Sequence, residues 1–245
     1  MALSPLLAPV LDLLVPHRCV TCGARAEPPW CTGCARAAAA RSIDPATSCP
    51  ACAGPGGRHA CWDGDPPVTS LVARYRYGGP VADAVVAGKT RGVRAVWEPL
   101  GGELARRLGQ AAGTDVGAVT WVPAPAGRRR QRGFDQSQLL ARAVGLWLGC
   151  PAVRLLEAHP GLPDRGRADA PDRAVLTVGA YRPRAGIAPP ARVLLVDDVL
   201  TTGSTLRAAT DALRAAGVEH VHGAVVARAG THQLVGRAGQ PARHR

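Results

Sequence analysis

Residues 193–206 read VLLVDDVLTTGSTL. Together with Ala191 and Arg192 the segment opens on ARVLLV, the nearly unbroken apolar run of a central parallel strand buried on both faces. Two carboxylates, Asp197 and Asp198, follow at its carboxyl end, where ligands sit in open α/β folds. Thr201, Thr202, Gly203, Ser204 and Thr205 then lead into a helix. At such a helix start the backbone N–H groups are unpaired, the dipole favours negative charge, a glycine admits close approach, and hydroxyls can donate. These features describe a phosphate cradle. Carboxylates aimed at a phosphate would repel it, so the pair is expected to face its neighbour: the vicinal hydroxyls of a ribose, or a magnesium ion with its waters. Sugar plus terminal phosphate is a 5-phosphoribosyl group. There is no GxxxxGK[ST] element for a P-loop, and a dinucleotide fingerprint places its acid after the glycines rather than before them. The plainer alternative is a pair of solvated acids at a strand end beside a capping Thr/Ser run.

Working outward, 68–77 (VTSLVARYRY) reads as a strand, 78–80 (GGP) as a turn, and VADAVVAGKTRG as a helix with Lys89 near its end. A second helix is predicted from about Pro99 to Gln110, a buried strand over 118–122 ended by prolines, and a helix from Ser137 to Leu148. Between them lies the basic stretch GRRRQRGFDQSQ. Residues 161–173 read as a long mobile loop, VLTVGAY as a strand, 204–216 as a helix closed by Gly217, and VHGAVVAR as the last strand. Alternating strands and helices predict an α/β domain with a mainly parallel sheet. The expected organisation is an N-terminal helix in 1–16 (about Leu6 to Leu14), a cysteine-rich domain in 17–64, the α/β domain in 65–229, and a disordered basic tail in 230–245.

The 245-residue chain is long enough to bury a core without cross-links throughout, and its net charge of +12 favours anionic partners. Lys89 is the sole lysine and Phe134 the sole phenylalanine, and asparagine is absent. Such a pattern reflects a coding bias toward arginine, so the arginine excess alone does not indicate DNA binding. The first fifteen residues lack the cationic start of a secretory signal and the ~20 apolar residues of a membrane span, which predicts a cytoplasmic protein.

Seven of the eight cysteines fall between 19 and 61. Cys19-x2-Cys22 and Cys31-x2-Cys34 have the spacing of a four-thiolate structural zinc site. Cys49, Cys52 and Cys61 form a second group lacking a fourth cysteine; His59 is the candidate to complete it, Asp63 a weaker one, and an inert relic the alternative. Disulfides are the other reading of this cysteine density, disfavoured without a secretory signal.

The 193–206 stretch resembles the phosphoribosyl pyrophosphate signature of type I phosphoribosyltransferases, and residues 19–228 resemble the ComF family, phosphoribosyltransferase-like proteins with an N-terminal zinc knuckle associated with DNA uptake in competence. WVPAP at 121–125 is similar to the loop that cups pyrophosphate, RGFDQ at 132–136 to the family's RGFNQ, and YRYGGPVADAVVAGK to its segment ending in lysine. The resemblance implies a type I phosphoribosyltransferase-like sheet with flanking helices plus a small zinc-ribbon domain. It implies that Asp197 and Asp198 hold the ribose hydroxyls, that Thr201, Thr202, Gly203, Ser204 and Thr205 hold the 5-phosphate, and that Pro123 and Ala124 with Lys89 and Arg132 hold pyrophosphate and magnesium. The implied ligand is phosphoribosyl pyrophosphate or a relative; single-stranded DNA and competence or DNA-processing proteins are the implied partners. Two functions remain open: a binding module in DNA uptake, or a magnesium-dependent transferase of phosphoribose to a base or amine. There are two departures: Asp135 replaces the family asparagine, and between Pro163 and Tyr181 only Arg173 keeps its place, with Leu176 at an asparagine position, which bears on what that loop does to the second substrate. Lys89 could instead be a solvated helix-end lysine, and the Arg128 to Arg132 cluster could bind pyrophosphate, bind nucleic acid, or be solvated.

Overall fold

The computed structural model describes residues 17–62, 65–110, 115–161 and 179–230. The expected helix at 6–14, the tail beyond 230 and most of the 161–173 loop lie outside them.

The described elements run α1 (Thr32–Ala39), β1 (Ser70–Arg76), α2 (Gly79–Thr90), a 3-10 turn (Arg94–Val96), α3 (Trp97–Gly109), β2 (Ala118–Trp121), α4 (Ala126–Arg132), α5 (Gln136–Leu148), β3 (Leu156–Ala158), β4 (Tyr181–Pro183), β5 (Arg192–Leu200), α6 (Ser204–Ala215) and β6 (His220–Arg228). Four strands form one wholly parallel sheet in the order β1-β6-β5-β2, with Asp197 opposite Val225 and Leu200 opposite Arg228. β3 and β4 pair antiparallel in a separate ribbon.

The sheet is covered on both faces, as the apolar run of β5 requires. Val193 and Leu195 join Leu206, Ala209 and Leu213 of α6, whereas Leu194 and Val196 join Leu100 and Leu104 of α3 and Leu140 and Val144 of α5. The first of these layers also contains Cys49, Cys52, Cys61 and Trp62, so the cysteine-rich segment shares the core of the sheet. A backbone bond from Leu71 N to Pro50 O (2.7 Å) ties it to β1. Among the described residues no helix is long and apolar enough to cross a membrane.

Several local expectations change. β5 continues through Leu200, so the two acids lie within the strand rather than beyond it; pairing with β6 as far as Leu200↔Arg228 carries the ladder past them. The GGP turn is absorbed into α2, which starts at Gly79 with Pro80 in its first turn, where a missing N–H costs nothing. The basic stretch is a helix, α4, closed by Gly133 in the left-handed conformation. Of the expected VLTVGAY strand, residues 175–178 lie outside the described residues, Gly179 and Ala180 form a turn and bend, and Tyr181 opens β4.

Leu194 and Leu195 point to opposite layers and are both fully buried. Leu194→Ala and Leu195→Ala are each expected to cost about 2–5 kcal/mol, measured as the shift in the urea midpoint. One near-neutral substitution would mean that one face of β5 is solvated.

Candidate functional site

β5 delivers Asp197 and Asp198 to the floor of a cleft of ≈ 330 Å³ whose wall includes Lys89, Pro123, Ala124, Arg128, Gln136, Ser137, Tyr181, Thr201 and Thr205. That volume suits a small ligand. The Asp198 side chain is 6% exposed and both its oxygens are engaged: Oδ1 with Lys89 Nζ at 2.6 Å, Oδ2 as acceptor from Gln136 Nε2 at 3.1 Å. A buried carboxylate requires such compensation. Arg132 Nη1 donates to Gln136 Oε1 at 2.9 Å, which fixes the amide so that its NH2 faces Asp198. Asp197 Oδ1 accepts from Ser137 Oγ at 3.2 Å and from the Asp198 N–H at 2.9 Å.

The loop that follows reverses the chain at Gly203, whose φ of 77° is a left-handed conformation suited to glycine. Gly203 is also the N-cap of α6 and supplies no capping side chain. Thr202 Oγ1 lies 3.1 Å from Ser204 Oγ and a long 3.5 Å from the Ser204 N–H. The first turn of α6 thus starts without a side-chain cap, and Thr205 in it lines the cleft with Thr201.

Asp135 organises the opposite wall. Its Oδ1 accepts from the Ser137 and Gln138 N–H groups and caps α5, while Oδ2 accepts from the Ala124 N–H at 3.0 Å. An asparagine amide could accept at one atom only, so the aspartate holds both the helix start and the 123–125 loop.

Of the sequence candidates, Lys89, Pro123, Ala124, Thr201, Thr205, Asp197 and Asp198 line the cleft together. Thr202, Gly203 and Ser204 form the turn between its lining residues. Arg132 reaches Asp198 through Gln136, and Arg128, four residues earlier on α4, lines the cleft. Gln136, Ser137 and Tyr181 were not singled out from the sequence. Gln136 and Ser137 lie in and beside RGFDQ, a signal that was present; nothing in the sequence marks Tyr181.

All eight cysteines are free, so the disulfide alternative is not realised. In the first group, Cys19, Cys22, Cys31 and Cys34 bring their sulfurs within 4.8 Å of one another, with Cys22 and Cys31 3.6 Å apart. A tetrahedron with ~2.3 Å metal–sulfur bonds has edges of about 3.8 Å. Loss of solvent and the neighbouring sulfurs of Cys19 and Cys31 push the Cys34 thiol up to about 12. The four therefore become thiolates together only around a cation. In the second group His59 takes the fourth corner beside Cys49, Cys52 and Cys61; Asp63 lies outside the described residues. Both groups can hold zinc.

Residues 169–239 match the phosphoribosyl transferase domain family. Competence protein F of Haemophilus influenzae is 34% identical over 116 residues, which cover 46% of this chain and 50% of that protein. The chain thus spans about half the length of the curated relative it matches. Among solved structures, glutamine phosphoribosylpyrophosphate amidotransferase from B. subtilis, complexed with ADP and GMP, is 23% identical with a TM-score of 0.37, covering 56% of this chain and 26% of that one. Adenine phosphoribosyltransferase from Leishmania tarentolae is 16% identical with a TM-score of 0.35, covering 62% and 80%.

Burial pushes the Asp135 carboxyl above its ordinary value although the Ala124, Gln138 and Ser137 N–H groups pull it down. Between those two values the folded chain keeps a proton that the unfolded chain has released, so stability falls as pH rises through that window. Asp135→Asn is expected to flatten that part of the unfolding free energy against pH, measured by urea titrations. An unchanged slope would show that the carboxyl titrates alike in both states.

Proposed function

We propose that this ComF-like, phosphoribosyltransferase-fold chain binds 5-phosphoribosyl pyrophosphate, or a related phosphoribosyl ligand, with magnesium. The observation that carries the reading is the carboxylate pair held inside the cleft by Lys89, Gln136 and Ser137, next to a helix start with no side-chain cap. The pair is pinned by neighbouring donors, so it is set to accept from sugar hydroxyls. The 5-phosphate takes the Thr201–Thr205 loop, and its charge is met by the N–H groups and hydroxyls of the first turn of α6. Pyrophosphate lies toward Pro123 and Ala124, with Lys89, Arg128 and Arg132 as the nearby cations.

Magnesium fits as a companion of the pyrophosphate rather than as a resident ion. Both Asp198 oxygens already have partners, so the acids do not form an all-protein cage; magnesium retains water and binds with phosphates. The first cysteine group holds a structural zinc.

The likeness to a competence protein supports a role in DNA uptake or DNA processing, and α4 offers a surface for it: Arg128, Arg129, Arg130 and Arg132 fall on one seven-residue helix. The second reading, transfer of phosphoribose to or from a base or amine, draws on the same cleft. Cleavage at C1 would build positive charge near the acids and negative charge near the cations, each stabilised by its opposite.

Calorimetry with phosphoribosyl pyrophosphate and magnesium tests the shared premise. Each lost charged hydrogen bond is worth about 1.5–3 kcal/mol, so Asp197→Asn/Asp198→Asn is expected to weaken binding by at least about tenfold. Equal affinity for wild type and variant would place the ligand elsewhere. Release of pyrophosphate with a candidate acceptor would select the transferase reading over binding alone.

A further inference from the structure

The second cysteine group touches the phosphate loop at both ends. Cys49 and Cys61 sulfurs are 3.8 Å apart, the edge of a tetrahedral thiolate site, and Cys52 Sγ is 3.6 Å from His59 Nε2. His59 Nδ1 lies 2.9 Å from Gly57 O, which fixes the tautomer with the bare Nε2 toward the sulfurs, as metal-bound histidines require. Zinc with three thiolates and a neutral imidazole carries one negative charge. Arg228, 5% exposed, meets it: Nε donates to Cys52 O at 2.8 Å, Nη2 lies 3.9 Å from Cys52 Sγ, and Nη1 donates to Gly230 O. Among the described residues Arg228 has no carboxylate in an ion pair. Arg228 is also the β6 residue opposite Leu200, the last residue of β5, and the adjoining Ala229 N–H bonds Leu200 O at 2.8 Å.

The other end of the loop is reached by Trp62, the residue after Cys61. Its indole N–H donates to Ala51 O, between Cys49 and Cys52, at 2.8 Å, and its ring lies against Gly203 so closely that a Cβ at 203 would overlap it. Arg207, in the first turn of α6, lies over the same ring at 5.5 Å and donates to Asp65 O at 3.1 Å. The glycine of the phosphate loop is therefore required by Trp62 as well as by its own φ.

We propose that the Cys49/Cys52/His59/Cys61 centre binds zinc and shapes the phosphate loop through Arg228 beside Leu200 and Trp62 against Gly203, so that its metal loading sets affinity for a 5-phosphate. Trp62 is a positioning residue. The proposal rests on the phosphoribosyl reading for its ligand, but not for the coupling itself.

Zinc content, hydrogen exchange of the 201–206 amides, and affinity for ribose 5-phosphate are measured on the full chain. Wild type and Trp62→Ala are expected to carry two zinc ions per chain and His59→Ala one. Loop amides are expected to exchange faster in both variants while those of β2 do not, affinity to fall about tenfold or more, and Trp62→Phe to restore both. Should His59→Ala fail to fold, the Trp62 pair carries the test. One zinc in the wild type, or loop exchange unaltered in Trp62→Ala, overturns the proposal. If the wild type does not bind ribose 5-phosphate but loop exchange responds, the phosphoribosyl reading fails and the coupling stands. If the wild type binds and the variants bind equally, the coupling fails and the reading stands.

Discussion

The contact between Lys89 and Asp198 joins the two halves of this chain at 2.6 Å across 109 residues. A strand buried on both faces carries, two residues before its end, a carboxylate that is itself almost inaccessible, and such a group is tolerated only with charge and hydrogen bonds around it. α2 supplies the cation and the start of α5 supplies Gln136. α4 supplies Arg132 to orient that amide, and Ser137 holds the neighbouring Asp197. Three helices thus send a side chain toward the two acids of β5. Those acids would be avoided in a strand selected for stability alone, which is the physical reason to look for a ligand there.

Much of this was legible in the sequence where local chemistry dictates structure. The apolar run of β5, the glycine and hydroxyls opening α6, and the spacing of Cys19, Cys22, Cys31 and Cys34 each specify their own environment, and α2, α3, α5, α6 and the four sheet strands followed from pattern and turn signals, whereas α1 and α4 did not. What was not legible depends on tertiary placement. The turn of α4 that faces the cleft makes Arg128 a lining residue and sets Arg132 behind Gln136, and no periodicity in GRRRQR says so. The three-residue β3 and β4 are too short to carry a pattern, and Tyr181 enters the cleft through them. Asp135 looked like a departure from a motif; in the structure its second oxygen holds Ala124.

The cysteine-rich segment also reads differently in three dimensions. From spacing alone it is a compact appendage suited to structural or docking roles. Its second group instead contributes Cys49, Cys52, Cys61 and Trp62 to the layer under α6. Segment and loop meet where a glycine leaves room for an indole, so neither surface is complete without the other. Through Trp62 and Arg228 the cysteine-rich segment thus packs against the stretch that leads from β5 into α6.

The most direct measurement of the central claim is the crystal structure of the chain with ribose 5-phosphate. Its phosphate is expected against the Ser204 and Thr205 N–H groups, with the ribose hydroxyls turned to Asp197 and Asp198. A phosphate seated on Arg128, Arg129 and Arg130 with the acids still facing only Lys89, Gln136 and Ser137 would contradict it.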